Sequence, residues 1–201
     1  YMSSTEKNRV FVADNENFMV YFRRLYRLFM ITFILFMGYM FFLTISPVYL
    51  TEVTGSSSSM GLIMLGSGII HAVTAPSAGK LVDKYPREMA IRLSSIFVII
   101  SMLTYSLTEN VILIVMVFTI PIYMTFFIGA RAIVADTVPY ELRARTMGLL
   151  SSFSLLGGGV GSVSVGEILL HYDEQEAFLF GAFLAFTAFL LSLKDFSHLR
   201  N

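Results

Sequence analysis

A single histidine lies deep within a long apolar part of the sequence. His71 is flanked on both sides by apolar residues over 60–79, where titratable side chains are rare. Imidazole titrates near neutral pH, so a histidine that faces a wet cavity can exchange a proton or donate a hydrogen bond to a polar solute. The alternative is a neutral histidine bonded to a neighbouring helix, for example to a carbonyl freed by Pro76. The sequence leaves both roles open.

Three further polar side chains lie within apolar stretches. Tyr39 and Tyr123 lie at a depth similar to that of His71, so the three rings converge if their helices are neighbours. A buried tyrosine more often packs in a core and finds one partner for its hydroxyl, so ligand contact is one of two roles. Glu167 lies toward the end of its stretch and either takes part in a proton pathway or reaches the aqueous interface. These four residues are our candidates for a substrate or proton pathway.

Six apolar segments must position these side chains. The chain is 56% hydrophobic and 14% charged, with a mean hydropathy of +0.73, whereas soluble domains are about 25% charged. A helix needs about 20 apolar residues to cross a bilayer. The sequence predicts spans over 28–48, 60–79, 93–107, 111–130, 147–166 and 177–193. We therefore predict an all-α integral membrane fold with one six-helix transmembrane domain over 28–193.

Polar residues flank this domain at both ends. Residues 1–27 are predicted to form a cytoplasmic linker, in which Phe18 and Phe22 share a helical face opposite Arg23 and Arg24. That arrangement is typical of an interfacial helix, and a plain extension of the first span is the alternative. Residues 194–201 are predicted to form a cytoplasmic tail.

All 14 Lys and Arg residues lie on one side of the six segments. They lie before the first segment, in the loop between the second and third, in the loop between the fourth and fifth, and after the sixth. Such an excess marks the cytoplasmic face, so both termini are predicted to be cytoplasmic. The formal net charge of zero gives no indication of nucleic-acid binding, and the absence of cysteine excludes disulfides and thiolate metal sites. We expect no cofactor and no metal.

The fifth segment is rich in glycine. Gly157 and Gly161 are spaced as small-xxx-small, a pattern that lets two helix backbones approach closely. We predict that these two glycines pack against a neighbouring helix.

Two connections carry recognisable motifs. The first reads Gly79-Lys80-Leu81-Val82-Asp83-Lys84-Tyr85-Pro86-Arg87 and resembles motif A of the major facilitator superfamily, G-x-L-x-D-[RK]-x-G-[RK]. It departs from the pattern at Pro86, which replaces the second glycine, and at Glu88, where another basic residue is usual. The second contains Pro139, Arg143, Arg145 and Gly148 and resembles the loop between the fourth and fifth helices of a superfamily half, P-x-x-x-R-[GA]-x-x-x-G.

The resemblance implies a fold and a set of partners. The chain is similar to the carboxyl-terminal half, helices seven to twelve, of a twelve-helix transporter in the plasma or inner membrane, built as a 3+3 inverted repeat. Its partners are then a small-molecule solute, the lipid bilayer and the amino-terminal six-helix half. The first, second, fourth and fifth spans are expected to line the central cavity, and the third and sixth to be peripheral.

Motif A also implies a cytoplasmic gate. In the superfamily its aspartate, here Asp83, pairs with a basic group, and we expect Arg131 to be that partner within this chain. The other predicted members of the gate are Gly79, Lys84 and Arg87.

The implied function is secondary active transport of a small solute by alternating access, driven by a proton or solute gradient. A six-helix scaffold or a dimeric half-transporter is the main alternative. An intramembrane enzyme is disfavoured, although Gly66-Ser67-Gly68 with His71 one turn later invites comparison with a rhomboid-type protease. Such a protease needs glycine where this chain has Leu65 and a histidine from another helix, and the sequence has no HExxH zinc motif.

Overall fold

The computed structural model describes residues 4–120 and 123–194, with side chains from Phe18 onward except that of Tyr123. Within these residues the regular secondary structure is entirely α-helical. The helices are α1 (Ser4–Thr54), α2 (Ser57–Lys84), α3 (Arg87–Leu107), α4 (Val111–Thr119), α5 (Tyr123–Thr137), α6 (Tyr140–Leu169) and α7 (Glu174–Leu193). Six spans in this part of the chain are long and apolar enough to cross a membrane, and α4 and α5 together form the fourth.

The helices extend beyond the predicted spans. α2 continues past Gly79 to Lys84, so most of motif A is helical. It ends there because Tyr85 precedes Pro86 and adopts the extended conformation that proline imposes on its predecessor. The backbone of the predicted linker is helical from Ser4 and continuous with the first span. Hydropathy locates only the part of a helix within the hydrocarbon, since polar flanks can be helical too.

The fourth span is interrupted, although the sequence predicted a continuous segment over 111–130. α4 ends at Thr119 and α5 begins at Tyr123, and Pro121 lies between them in the sequence. Proline has no backbone N–H and cannot continue the ladder of hydrogen bonds. The last four carbonyls of α4 therefore need partners from outside the helix.

α1 lies at the centre of the packing. It contacts α6 along one side and α7 along another, while α3 packs against α7 and α5. The first span thus pairs with the sixth as the third pairs with the fourth, which is the symmetry of two inverted three-helix repeats. The core between α1, α3 and α7 is built on buried aromatic residues, among them Phe41, Tyr105 and Phe178.

Glycines set the distance between α1 and α6. A Cβ atom at Gly157 would collide with the backbone carbonyl of Phe33, and one at Gly161 would collide with the carbonyl of Met37. The two glycines face α1 as their spacing predicted. Two helix backbones can approach this closely only where no side chain separates them.

Arginines hold the carboxyl end of α7. Arg27 of α1 donates to the carbonyls of Leu191 and Lys194 at 2.9 and 3.1 Å. Arg92 of α3 donates to the carbonyl of Ser192 at 3.2 Å. Cations are favourable at a helix C-terminus, where unpaired carbonyls carry partial negative charge. These bonds fix the last span against the first and third.

Candidate functional site

A pocket of about 330 Å³ lies between α1, α2, α3 and the end of α4. This α1–α4 pocket has the size typical of small-molecule sites, which span roughly 300 to 1,000 Å³. Aromatic and aliphatic side chains form most of its wall, and a few polar groups interrupt it. Its lining residues are Tyr39, Phe42, Leu43, Met64, Ser67, Gly68, His71, Phe97, Val98, Ser101, Val117, Phe118 and Ile120.

Two of the four predicted pathway residues meet in this pocket. Tyr39 enters from α1 and His71 from α2. The Tyr39 ring stacks on Phe42, with centroids 5.9 Å apart and an interplanar angle of 19°. The side chain of Tyr123 lies outside the described residues. Tyr39 and His71 thus line one pocket from the first and second spans.

Glu167 does not lie in the α1–α4 pocket. It is exposed near the end of α6, and its nearest ionic partner in the described chain is His171, one turn later, at 3.9 Å. α6 lines no part of this pocket, because its glycines hold it against a different face of α1 from the one that carries Tyr39 and Phe42. This pocket lies within one six-helix unit, so the expectation that the fifth span lines a central cavity stays a prediction.

α3 was expected to be peripheral, but it contributes to the pocket wall. Phe97, Val98 and Ser101 line the pocket. The third span is therefore a wall of the candidate site as well as a core element. Sequence periodicity marks the apolar face of a helix but does not identify the helix that will lie beside it, which is why this role was missed.

The partners of His71 differ from those anticipated. Its Nε2 atom lies 3.3 Å from Oγ of Ser67, one turn earlier on α2. The ring also bonds the backbone carbonyl of Thr119. The carbonyl that receives His71 thus belongs to the interrupted fourth span and not to the turn before Pro76. The interruption supplies the acceptor, since carbonyls at the end of α4 have no partner within the helix.

Ser67 is a site residue that we did not predict as one. It is 4% exposed, and its hydroxyl also lies 3.4 Å from the carbonyl of Phe118. Two features of the sequence carry the signal: the four-residue spacing from Ser67 to His71, which places both on one helix face, and Pro121 in the fourth apolar segment.

On the side that bears the Lys and Arg residues, here called the basic side, Arg87 connects three helices. Its Nη1 donates to Oδ1 of Asp83 at 3.0 Å and to the carbonyl of Val82 at 2.6 Å. Its Nε donates to Oδ2 of Asp136 at 3.3 Å. Arg87, at the start of α3, thereby ties the end of α2 to the end of α5.

Arg131 is not the partner of Asp83, contrary to our expectation. It is exposed on α5 and stacks over Phe127, with 5.9 Å from its guanidinium carbon to the ring centroid. Arg87 follows Asp83 by four residues across the Pro86 turn and forms the ion pair with it in place of Arg131. Arg131 therefore lies outside the ion-pair cluster that the described residues form.

The second motif loop has the same hydrogen bond as motif A, from an arginine to the backbone carbonyl five residues earlier across a proline. Arg143 donates to the carbonyl of Val138, five residues earlier, at 3.0 Å. Pro139 precedes α6 as Pro86 precedes α3. The guanidinium carbon of Arg145 lies 3.8 Å from the centroid of Phe18 on α1.

The remaining motif residues have smaller contacts. The Lys84 ammonium lies 5.8 Å from the ring of Tyr85. Gly79 and Gly148 face open space, so neither is required for close packing within the described chain. In that part of the chain no group of three or more His, Asp or Glu residues is placed to hold a metal ion.

Comparisons with known proteins identify relatives. The family model described as Major Facilitator Superfamily matches residues 28–196. The quinolone resistance protein NorA of Staphylococcus aureus is 21% identical over 173 residues, which cover 85% of this chain and 44% of NorA. Multidrug resistance protein 1 of Bacillus subtilis (strain 168) is 24% identical over 163 residues, covering 80% of this chain and 42% of that protein. The chain thus spans less than half the length of these relatives.

Proposed function

The chain belongs to the major facilitator superfamily, and on that premise we propose that it forms the carboxyl-terminal six-helix half of a secondary transporter. Membership in this family places the function of the chain in membrane transport, and the family is one of transporters rather than enzymes. The protein is a multi-pass protein of the cell membrane. The share of NorA that it matches, 44%, is close to that of one six-helix half. We place the basic side in the cytoplasm, since positive loops remain there.

An apolar surface on α2 supports a partner half. In the most apolar stretch of the second span 11% of residues are buried, against 56% in the first span. Leu62, Leu65 and Val73 are more than half exposed. We infer that the amino-terminal half covers this face of α2 and completes the α1–α4 pocket.

The pocket wall supports a solute with an aromatic or apolar body and at least one hydrogen-bonding group. Tyr39, Phe42, Phe97 and Phe118 offer ring surfaces, and His71 offers a polar contact. Two relatives carry names that fit this chemistry, a quinolone resistance protein and a multidrug resistance protein. We propose that the transporter exports such amphiphilic aromatic compounds by alternating access, driven by the proton gradient. The meeting of Tyr39 and His71 in one pocket is the observation that carries this proposal.

His71→Ala tests the proposal in the full-length protein reconstituted in proteoliposomes. With a fluorescent quinolone as solute and an imposed pH gradient, we expect the KM to rise about tenfold, since the solute loses a polar partner in the pocket. We also expect the pH dependence of transport between about pH 5 and 8, where histidine titrates, to disappear.

His171→Ala is the matched control for this experiment. His171 follows the last residue of α6 by two positions, is exposed and lies outside the α1–α4 pocket. This variant should keep the wild-type KM and pH profile. Unchanged KM and pH dependence in His71→Ala would show that the histidine only packs.

Arg87→Gln tests the cytoplasmic gate, which we propose on the resemblance to motif A and on the ion pairs of Arg87 with Asp83 and Asp136. The variant should shift the balance toward the state open on the basic side by about threefold, the size expected for a partly exposed ion-pair network. Asp83→Asn should shift it less, because Arg87 keeps Asp136. The measurement is the distance distribution between spin labels placed across the basic side of the full-length protein.

Lys80→Gln removes a charge from the same end of α2 without breaking an ion pair of the described chain. It should leave the distance distribution unchanged. If Arg87→Gln behaves like Lys80→Gln, the cluster is not a gate.

A further inference from the structure

We propose that Ser67 is a positioning residue of the α1–α4 pocket, which ties His71 to the interrupted fourth span and sets how the imidazole presents itself to the solute. The inference rests on the proposed function, since it assigns a role within the pocket that binds solute. Ser67 belongs to neither of the sequence motifs.

The direction of the Ser67 hydroxyl differs from that of most helical hydroxyls in the described part of the bundle. Ser95 and Thr74 donate to the carbonyl four residues earlier in their own helix, the usual way in which a helical hydroxyl is satisfied in lipid. Ser67 is instead directed at His71 Nε2, at 3.3 Å, and at the carbonyl of Phe118 on α4, at 3.4 Å. Its hydroxyl therefore links two helices.

The acceptors on α4 exist because the fourth span is interrupted. α4 ends at Thr119, so the carbonyls of Phe118 and Thr119 have no partner within the helix. An unpaired carbonyl in the hydrocarbon region costs several kcal/mol, and neighbouring helices must supply donors. Ser67 reaches the first carbonyl and His71 the second. One face of α2 thus holds the end of α4 that carries the pocket residue Phe118.

Ser67 can donate to only one of these two acceptors at a time, because a hydroxyl has one proton to donate. In one arrangement His71 is neutral, its Nδ1–H donates to Thr119, and Ser67 donates to Nε2. In the other the imidazolium donates from Nε2 to Ser67 Oγ, and the Ser67 hydroxyl donates a hydrogen bond to the carbonyl of Phe118. Protonation of His71 therefore reverses the bond between Ser67 and the imidazole and directs the Ser67 donor to the fourth span.

The surroundings leave His71 as the group that controls this exchange. The pocket lining contributed by α3, α4 and residue Ile120 contains no ionisable side chain, and α1 contributes Tyr39, whose phenol ordinarily titrates near pH 10. Ser101 also lines the pocket, but its hydroxyl donates to the carbonyl of Phe97 within α3.

The test uses the full-length protein in proteoliposomes with a fluorescent quinolone and an imposed pH gradient. Ser67→Ala should raise KM about fivefold, the effect of losing one partly buried hydrogen bond, and shift the pH profile of transport. Ser67→Thr, which keeps the hydroxyl, should restore both. Ser95→Ala, a buried serine outside the pocket, should match wild type. In the double variant with His71→Asn, Ser67→Ala should add no further effect, because the two side chains act as one unit.

A second readout does not depend on transport. With ¹⁵N-labelled histidine, the full-length protein should show a changed His71 tautomer population in Ser67→Ala, and His71→Asn identifies the signal. An unchanged tautomer population overturns the positioning role, as does a KM effect that adds to that of His71→Asn. If wild type transports no quinolone while the tautomer still responds to Ser67→Ala, the proposed function fails and the link between Ser67 and His71 stands.

Discussion

Replacing Gly157 by alanine is expected to destabilise the folded protein by about 3 kcal/mol or more, the upper range for overpacking a core. The added Cβ would lie 2.9 Å from the carbonyl carbon and 3.0 Å from the Cα of Phe33. These are backbone atoms of α1, so relief requires the two helices to separate rather than one side chain to rotate. The thermal unfolding midpoint and the yield of monodisperse full-length protein in detergent measure the effect.

The same glycine run supplies the control. Gly159 lies two residues away, and a Cβ there meets no atom within 4 Å. Gly159→Ala should be neutral or stabilising by up to about 1 kcal/mol, because alanine is the better helix former. If Gly157→Ala is as stable as Gly159→Ala, the close contact between α1 and α6 is absent.

Replacing Gly68 by phenylalanine is expected to abolish quinolone transport while the protein remains folded. Gly68 lines the α1–α4 pocket, and a Cβ at this position meets no atom within 4 Å. A phenyl ring there can enter the pocket without an initial collision and occupy space that a solute needs. Transport by the full-length variant in proteoliposomes measures the effect, and gel filtration checks the fold.

Gly66→Phe is the control for adding a ring to α2. Gly66 also has open space at its Cβ but does not line the pocket. This variant should transport at close to the wild-type rate. Normal transport by Gly68→Phe would place the solute elsewhere.

The spans were predictable because hydropathy and length describe the hydrocarbon region directly. The ends of the helices were not, since α2 ends at Lys84 for a local reason: Tyr85 precedes a proline and is extended. The interruption of the fourth span was missed because the mean hydropathy over 111–130 does not change when one residue lacks a backbone N–H. Pro121 was its signal.

The candidate site was predictable in part. Depth along the spans identified Tyr39 and His71, which meet in the pocket. Ser67 and the α3 wall depend on which helices become neighbours, and the spacing within one helix does not contain that information. Motif A supplied Asp83 and Arg87, but their pairing depends on the Pro86 turn, which brings Arg87 closer than Arg131.

Photo-cross-linking tests most directly whether the α1–α4 pocket binds the transported solute. An azide-bearing quinolone is photolysed with the full-length protein in proteoliposomes, and labelled peptides are identified by mass spectrometry with and without excess unlabelled quinolone. We expect competable labelling within 39–43, 64–71 and 97–101, which carry the pocket wall of α1, α2 and α3. The contrary result is competable labelling of this half only in α6 or α7, with none in those three segments. It would show that the α1–α4 pocket does not bind the transported solute.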